Sequence, residues 1–358
     1  MKWLERCFDT VRPIFEKTGL HAVLDATEAV FLGPEERTPD APHVRDALDL
    51  KRYMATAILA ALPAAAAGIY LFGLHLVAMI LVSYIVGGSV EVLFAAVRKE
   101  EITEGFLVTG LYFPLICPPG LPLWMVGVGV AFGVVVGKEL FGGTGRNLFN
   151  PALVGRGFLG LGYPAAMASN WIAPKASPPG RLLEYITSAS PDALASATPL
   201  GAAKAGTFYS ARDLVLGNVA GSAGETSALL ITLGGIFLIY TRVADWRVPV
   251  ATLGSFLGLG YLLRLLEPGI VIEPGWHVLA GGLLFGAFFM ATDPISGPVS
   301  KPARWFYGLL IGTVTLMIRN FTGYVEGVTF AILLGNIFAP IFDEIVFRTH
   351  RWRLSRAE

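Results

Sequence analysis

Residues 53–90, "YMATAILAALPAAAAGIYLFGLHLVAMILVSYIVGGSV", contain no Asp, Glu, Lys or Arg. At 1.5 Å of rise per helical residue this run is nearly twice as long as the ~30 Å hydrocarbon layer of a bilayer. It predicts two membrane-spanning helices joined with almost no connection at "YLFGLHLV". The whole chain agrees: 54% of its 358 residues are hydrophobic and only 15% charged, where soluble domains carry about 25%, and the mean hydropathy is +0.61. The class is an all-α polytopic membrane protein. The formal net charge of zero is uninformative about partners, and we expect no nucleic acid among them. Cys7 and Cys117 have no ligand-like spacing and indicate no disulfide framework. No apolar leader precedes the first span, so no cleaved signal peptide is expected.

Further uncharged runs predict the remaining spans. Residues 105–137 are interrupted by Pro114, Pro118, Pro119 and Pro122, which predicts a half-length or broken helix, a bend, and a second helix reaching about Glu139. Other spans are expected near 147–166, 226–241, 248–263, 274–292, 305–318 and 327–342, about ten in all. Residues 1–52 differ in kind: Trp3, Leu4, Cys7, Phe8, Val11, Ile14 and Phe15 recur at helical spacing among charges, as in an amphipathic helix that packs on a partner or lies on a membrane. Arg45, Lys51 and Arg52 crowd the entrance to the first span, and Arg348, Arg351, Arg353 and Arg356 follow the last. By the positive-inside rule both termini are cytoplasmic. The expected organisation is a cytoplasmic segment (1–52), a first five-helix repeat (53–170), an extracytoplasmic loop (171–224), a second five-helix repeat (225–347) and a basic cytoplasmic tail (348–358).

The repeat rests on three recurrences in the same order. "NLFNP" at 147–151 and "NIFAP" at 336–340 each follow a Trp-led glycine-rich span, at Trp124 and Trp305, and a Pro-broken segment, "LICPPG" and "ATDPISG". With five spans per half and a long loop between, the copies are inverted in the membrane and their broken helices meet near the midplane. Broken helices expose backbone groups that protein, water or a ligand must satisfy. "GGTGRNLFNPA" at 142–152 lacks the Lys-Ser/Thr of a phosphate-binding loop; its Arg146, Asn147 and Asn150 serve either a ligand or, with Asn150 before Pro151, a capped helix start. Glu91, Asp293 and Asp343 lie within or at the edges of apolar runs. Each should face protein or water, as a cation pathway or, for Asp293, as a cap before Pro294 and, for Asp343, among headgroups. Gly87 and Gly88 admit close approach of a helix or a flat ring. His277 beside Trp276 reads as an interfacial anchor.

The runs "HVRDALDLKR", "GGSVEVLFAAVRKEEITEGFLVTGLYF", "PPGLPLW", "GKELFGGTGRNLFNPALVGRGF", "GAFFMATDP" and "GNIFAPIFD" closely resemble the family of B-type subunits of sodium-translocating NADH:quinone oxidoreductases, from about His43 to Phe347. The related D-type subunits of the Rnf complex share the later motifs but generally lack the long N-terminus and the "HVRD…DLKR" entrance. The resemblance implies a covalent FMN, attached by phosphoester to a threonine in a motif like Asp-x-x-Ser-Gly-Ala-Thr. The matching threonine is Thr198, with Asp192 six residues before it; Ala195 and Ser196 depart from the motif's Ser and Gly, and Ser196 is the fallback acceptor. An attaching enzyme needs an accessible hydroxyl among small neighbours, which "SPDALASATPLGAAKAG" offers; the bland alternative is an unmodified spacer.

The resemblance also implies a non-covalent riboflavin near Arg146, Asn147 and Asn150, a ubiquinone site involving Asp46, Gly87, Gly88, Glu91 and Phe106, and sodium handling by Glu91, Asp293 and Asp343, whose oxygens suit a hard cation. Relatives commonly carry a longer insertion between the first two spans. The expected function is that of a membrane subunit in a bacterial inner-membrane sodium pump, passing electrons from FMN through riboflavin to ubiquinone. Its implied partners are a second flavin-carrying subunit, an NADH-oxidising subunit, a flavin transferase and membrane lipid. Nothing in the chain resembles a dinucleotide-binding βαβ unit, so NADH oxidation is expected elsewhere. The alternatives are an Rnf-type ferredoxin:NAD oxidoreductase subunit and, in a different class, a non-redox channel or transporter built on inverted repeats.

Overall fold

The computed structural model describes residues 50–99, 105–186, 198–267, 269 and 271–354, together with Thr10, Arg12 and Pro13. The amphipathic N-terminal helix, Asp46, Asp192 and the end of the basic tail lie outside the described residues. Helices supply the architecture. α1 (Leu50–Phe72) stops at Gly73, whose φ of +96° suits a residue without Cβ; a methyl group there would also lie 2.6 Å from the Glu184 carbonyl oxygen. The turn is as tight as expected, since α2 (His75–Arg98) follows at once. Residues 171–186 fold back over this hairpin, with Leu74 donating to the Glu184 carbonyl and Arg181 to the Tyr70 carbonyl.

α3 (Gly105–Leu115) ends in its proline cluster, and α4 (Leu123–Gly137) resumes after Pro122. Carbonyls freed by the break find partners in the long loop: Leu115 accepts from the Gly224 N–H at 2.8 Å and Ile116 from the Ser222 hydroxyl at 3.1 Å. α5 (Pro151–Gly162) starts with proline in its first turn, where a missing N–H costs nothing. The second half comprises α6 (Ala228–Tyr240), α7 (Arg247–Leu266), a broken α8 (Pro274–Leu279, then Leu283–Phe285 running into the π-helical Gly286–Met290), α9 (Lys301–Phe321) and α10 (Val328–Leu354). Among the described residues five of these are by themselves long and apolar enough to cross a membrane: α1, α2, α4, α7 and α10. The others are short, broken or, in α9, carry a buried arginine, and they sit among the long ones.

Packing repeats between the halves. α2 lies against α4 and α4 against α5, as α7 lies against α9 and α9 against α10. The halves join where α1 meets α6 and where the broken α3 and α8 meet in an aromatic cluster: Phe285 and Phe289 stack at 4.8 Å and Tyr112 meets both edge-on. Small residues let helices approach at backbone contact. In α4 and α5 a methyl group on Gly155 would fall 2.6 Å from the Gly129 carbonyl; in α9 one on Gly308 would fall 2.8 Å from the Val248 carbonyl of α7.

Two of the three sequence recurrences occupy equivalent places, the Pro-broken segments after α3 and α8 and the Trp-led starts of α4 and α9. The third does not. "NLFNP" leads into α5, whereas "NIFAP" lies inside α10, where Asn336 donates to the Ser296 carbonyl and to the Tyr307 hydroxyl, both at 3.0 Å. α10 also runs past the expected end at residue 342 to Leu354. The turns beyond the apolar run are held as helix by charge pairing, with Arg348 on Glu344 at 2.6 Å.

Candidate functional site

Two cavities lie on opposite faces of the bundle, one beside the start of α1 and the end of α8, the other beside Thr198. The first, of 60 Å³, is lined by Tyr53, Thr109, Tyr112, Lys138, Thr144, Asn147, Asn150, Phe289 and Asp293. It lies between the halves. Asn150 has two duties here. Its Oδ1 caps α5, accepting from the N–H groups of Ala152 (3.1 Å) and Leu153 (3.4 Å), while its side chain also lines the cavity. Asn147 is buried and donates to the Phe149 carbonyl. Arg146 is exposed over Gly142 and is not among the lining residues. Asp293 takes the capping role before Pro294, accepting from the Ile295 N–H (3.3 Å) and the Ser296 hydroxyl (2.7 Å), and still borders the cavity.

Glu91 comes to the same place through Lys138. Both are buried, and the ammonium donates to the Glu91 carboxylate at 2.5 Å. The sequence signal for Lys138 was a lone cation ending the apolar run of α4, and reading acids alone passed over it. Removing one partner strands a buried charge. Lys138→Met is therefore expected to destabilise by about 3 kcal/mol or more, and the pair Glu91→Leu/Lys138→Met to recover most of that. Thermal midpoints of the four proteins in one detergent check this; additive effects of the single changes would refute the coupling. Gly87 faces Val130 and Val134 of α4, and Gly88 faces the ring of Phe106, which a methyl group on Gly88 would meet at 3.3 Å, so Gly88 and Phe106 are brought together, one turn from Glu91. Asp343 stands apart from this group. Both its oxygens accept backbone N–H groups, from Val299 and Ser300 at 2.8 Å each, so it caps the start of α9 from α10.

The second cavity measures 420 Å³, and Thr198 lies on its rim with Trp171, Tyr324 and Phe330 in its wall. Thr198 is the N-cap of the short helix Pro199–Lys204; its hydroxyl oxygen accepts from the Gly201 N–H at 3.3 Å. Lys204 ties this helix to the loop after α9, donating to the carbonyls of Thr322 (2.9 Å) and Tyr324 (2.7 Å). Beneath the rim lie two ion pairs, buried Arg156 with buried Glu225 at 2.7 Å and fully buried Arg319 with half-buried Glu326 at 3.0 Å. Arg319 also donates to the His277 and Ala280 carbonyls, and Glu326 accepts from the Gly282 N–H, which satisfies the backbone opened by the break in α8. None of these four charges was singled out in the sequence, although Arg156 stands inside the fifth apolar run and had the same claim as the acids to an interior partner. His277 is not an exposed anchor: it lies on the inward side of α8, buried and edge-on to Phe256 at 5.5 Å, while Trp276 beside it is partly exposed. Among the described residues no cluster of His, Cys, Asp and Glu could hold a metal ion by three or more such ligands.

Comparison with known proteins fits this architecture. Residues 37–350 match the model of the NQR2, RnfD, RnfE family. The B subunit of the Na(+)-translocating NADH-quinone reductase of Ectopseudomonas mendocina (strain ymp) is 35% identical over 411 residues, covering 97% of this chain and 98% of the relative. The protein of the same name from Pseudomonas paraeruginosa is 34% identical over 414 residues, with 99% of each covered, and that from Azotobacter vinelandii is 36% identical over 405, with 97% and 98% covered. These alignments are longer than the chain, so the relatives carry insertions relative to it. An all-α bundle of paired five-helix halves and a near full-length match lead to one conclusion: the chain belongs to the NQR2, RnfD, RnfE family.

Proposed function

We propose that this chain is a membrane subunit of a sodium-translocating NADH-quinone reductase, a redox-driven sodium pump, and that Thr198 carries its covalent FMN. The observation that carries this reading is the place of Thr198, a hydroxyl on the rim of a 420 Å³ cavity. That volume falls within the ~300–1,000 Å³ of ligand sites. The lining suits a flavin ring: aromatic faces from Trp171, Tyr324 and Phe330, and a Thr329 hydroxyl that is buried and without a partner among the described residues. Esterification would leave the Thr198 oxygen able to accept the Gly201 N–H, so the helix cap and the attachment are compatible. In the cavity between the halves, Asn147, Asn150, Thr109 and Thr144 offer the donors and acceptors a riboflavin edge requires. Its 60 Å³ requires the walls to part before an isoalloxazine enters.

Bound flavins supply the electron-transfer chemistry. The chain's own groups set the charge around them: Arg156 and Arg319 hold fixed positive charge beneath Thr198, balanced by Glu225 and Glu326. Adding an electron in a medium of low dielectric constant favours a nearby cation, which couples reduction to sodium entry. Glu91, Asp293 and Asp343 supply the hard oxygen ligands of that path, and ubiquinone is reduced near Gly88 and Phe106. In this reading the face where α1 begins and α10 ends is the cytoplasmic side of a bacterial inner membrane, NADH is oxidised by another subunit, and a second flavin is carried by a further one.

The test is the intact mass of the chain expressed with a flavin transferase, with in-gel flavin fluorescence. The parent and Ser196→Ala are expected to carry one FMN, less the water lost on ester formation, and Thr198→Ala to carry none. An unmodified parent beside an active transferase would overturn the assignment, and a Thr198→Ala variant that kept the adduct would move it to another residue.

A further inference from the structure

Four cations gather where α6, α7 and α9 begin or end, on the face where α1 begins. Arg242, Arg247, Lys301 and Arg304 line a cavity of 490 Å³, together with Asp245, Asp293, Tyr53 and Trp246. Asp245 is already committed: it pairs with Arg247 at 3.1 Å and also with Arg304. Burial pushes its carboxyl up, but the Arg247 N–H and the Arg304 guanidinium outweigh this and hold it below its usual range, so it stays ionised. Asp293 is held by Ile295 and Ser296. Among the described residues no carboxylate pairs with Arg242 or Lys301. Two positive charges in the cavity thus have no counter-ion among the described residues.

Two features indicate what supplies it. Trp246 and Trp305 pack edge-on at 5.6 Å beside the cavity, half exposed, and Arg247 lies over the Trp246 ring at 5.0 Å. Tryptophans at the ends of spans mark headgroup depth. Arg242 has a φ of +60° at the end of α6, a place where glycine is usual and a long side chain is strained. The arginine at this strained position places its charge in the wall of the cavity. Basic pockets between helices at headgroup depth bind phosphate headgroups.

We propose that this cavity binds the phosphate headgroup of an anionic phospholipid, with Arg242 and Lys301 as its counter-charges. The cavity adjoins the one between the halves, sharing Tyr53 and Asp293 with it, but its cations, Arg242 and Lys301 among them, do not line that other cavity.

The experiment uses the purified full chain in detergent with phosphatidylcholine, titrated with phosphatidylglycerol and followed by thermal midpoint and by native mass spectrometry of retained lipid. Each basic side chain at an anionic surface contributes roughly fivefold in affinity. Arg242→Gly/Lys301→Gln is therefore expected to need roughly twenty-five-fold more phosphatidylglycerol for the same shift. Glycine suits the backbone at 242, so this variant is expected to fold at least as well as the parent. The charge-matched Arg212→Gln/Arg264→Gln, on the opposite face, is expected to respond as the parent does. The proposal is overturned by a parent that does not distinguish the two lipids, by an equal loss in the opposite-face variant, or by inorganic phosphate producing the full shift alone, which would make a free anion the occupant.

Discussion

Gly312→Val is expected to prevent the second half of the bundle from assembling. A Cβ at Gly312 overlaps the Thr252 carbonyl and the Ser255 hydroxyl of α7, and one at Gly308, a turn earlier, falls 2.6 Å from the Ala251 methyl. A rotamer change relieves a clash with a side chain, but the Thr252 carbonyl belongs to a helix backbone and can yield only if α7 moves. Overpacking of ordinary cores costs about 1–3 kcal/mol, and a backbone obstacle places this change at or above the upper end. Gly254→Val, on the exposed side of α7 with nothing within 4 Å of its Cβ, is the control and is expected to stay within about 0.5 kcal/mol of the parent. Yield of monodisperse protein after extraction and the thermal midpoint give the answer. Equal behaviour of the two variants would show that α7 and α9 do not pack at these glycines.

Arg319→Met is expected to have a comparable effect by a different route. The arginine is fully buried, pairs with Glu326 and donates to two carbonyls at the break in α8. Its loss leaves the half-buried Glu326 carboxylate without its cation, which costs at most about 3–5 kcal/mol, and opens the buried His277 and Ala280 carbonyls besides. Arg319→Lys keeps the charge without the fork that reaches all three oxygens, and is expected to fall between. Arg319→Met/Glu326→Met removes both charges and is expected to recover part of the loss in thermal midpoint. Full stability of Arg319→Met alone would mean that Glu326 finds another partner and that the break does not depend on this contact.

These two positions show where sequence reading stops. The apolar runs, the proline breaks and the near-absent connection at "YLFGLHLV" were legible because each is a local property: length against bilayer thickness and a missing N–H. Capping by Asn150 and Asp293 was legible for the same reason, the bonds closing within a few residues. The match of "NLFNP" with "NIFAP" misled, because two similar strings take different places, one entering a helix and one inside it. Lys138, Arg156 and Arg319 went unread because their partners lie 47, 69 and 7 residues away. His277 was misplaced because adjacent residues on a helix point to different sides, and the string does not say which one turns inward.

By itself the sequence determined that this chain lives in a membrane, that it has about ten helical segments in two related halves, and that certain polar groups must turn inward, since hydrocarbon gives an unpaired charge or open backbone no partner. Only the tertiary structure decided which charge meets which: Glu91 with Lys138, Glu225 with Arg156, Glu326 with Arg319, and Asp343 with the start of α9. The requirement for a partner is a property of each residue and its solvent, whereas the partner's identity depends on how helices distant in sequence are brought together.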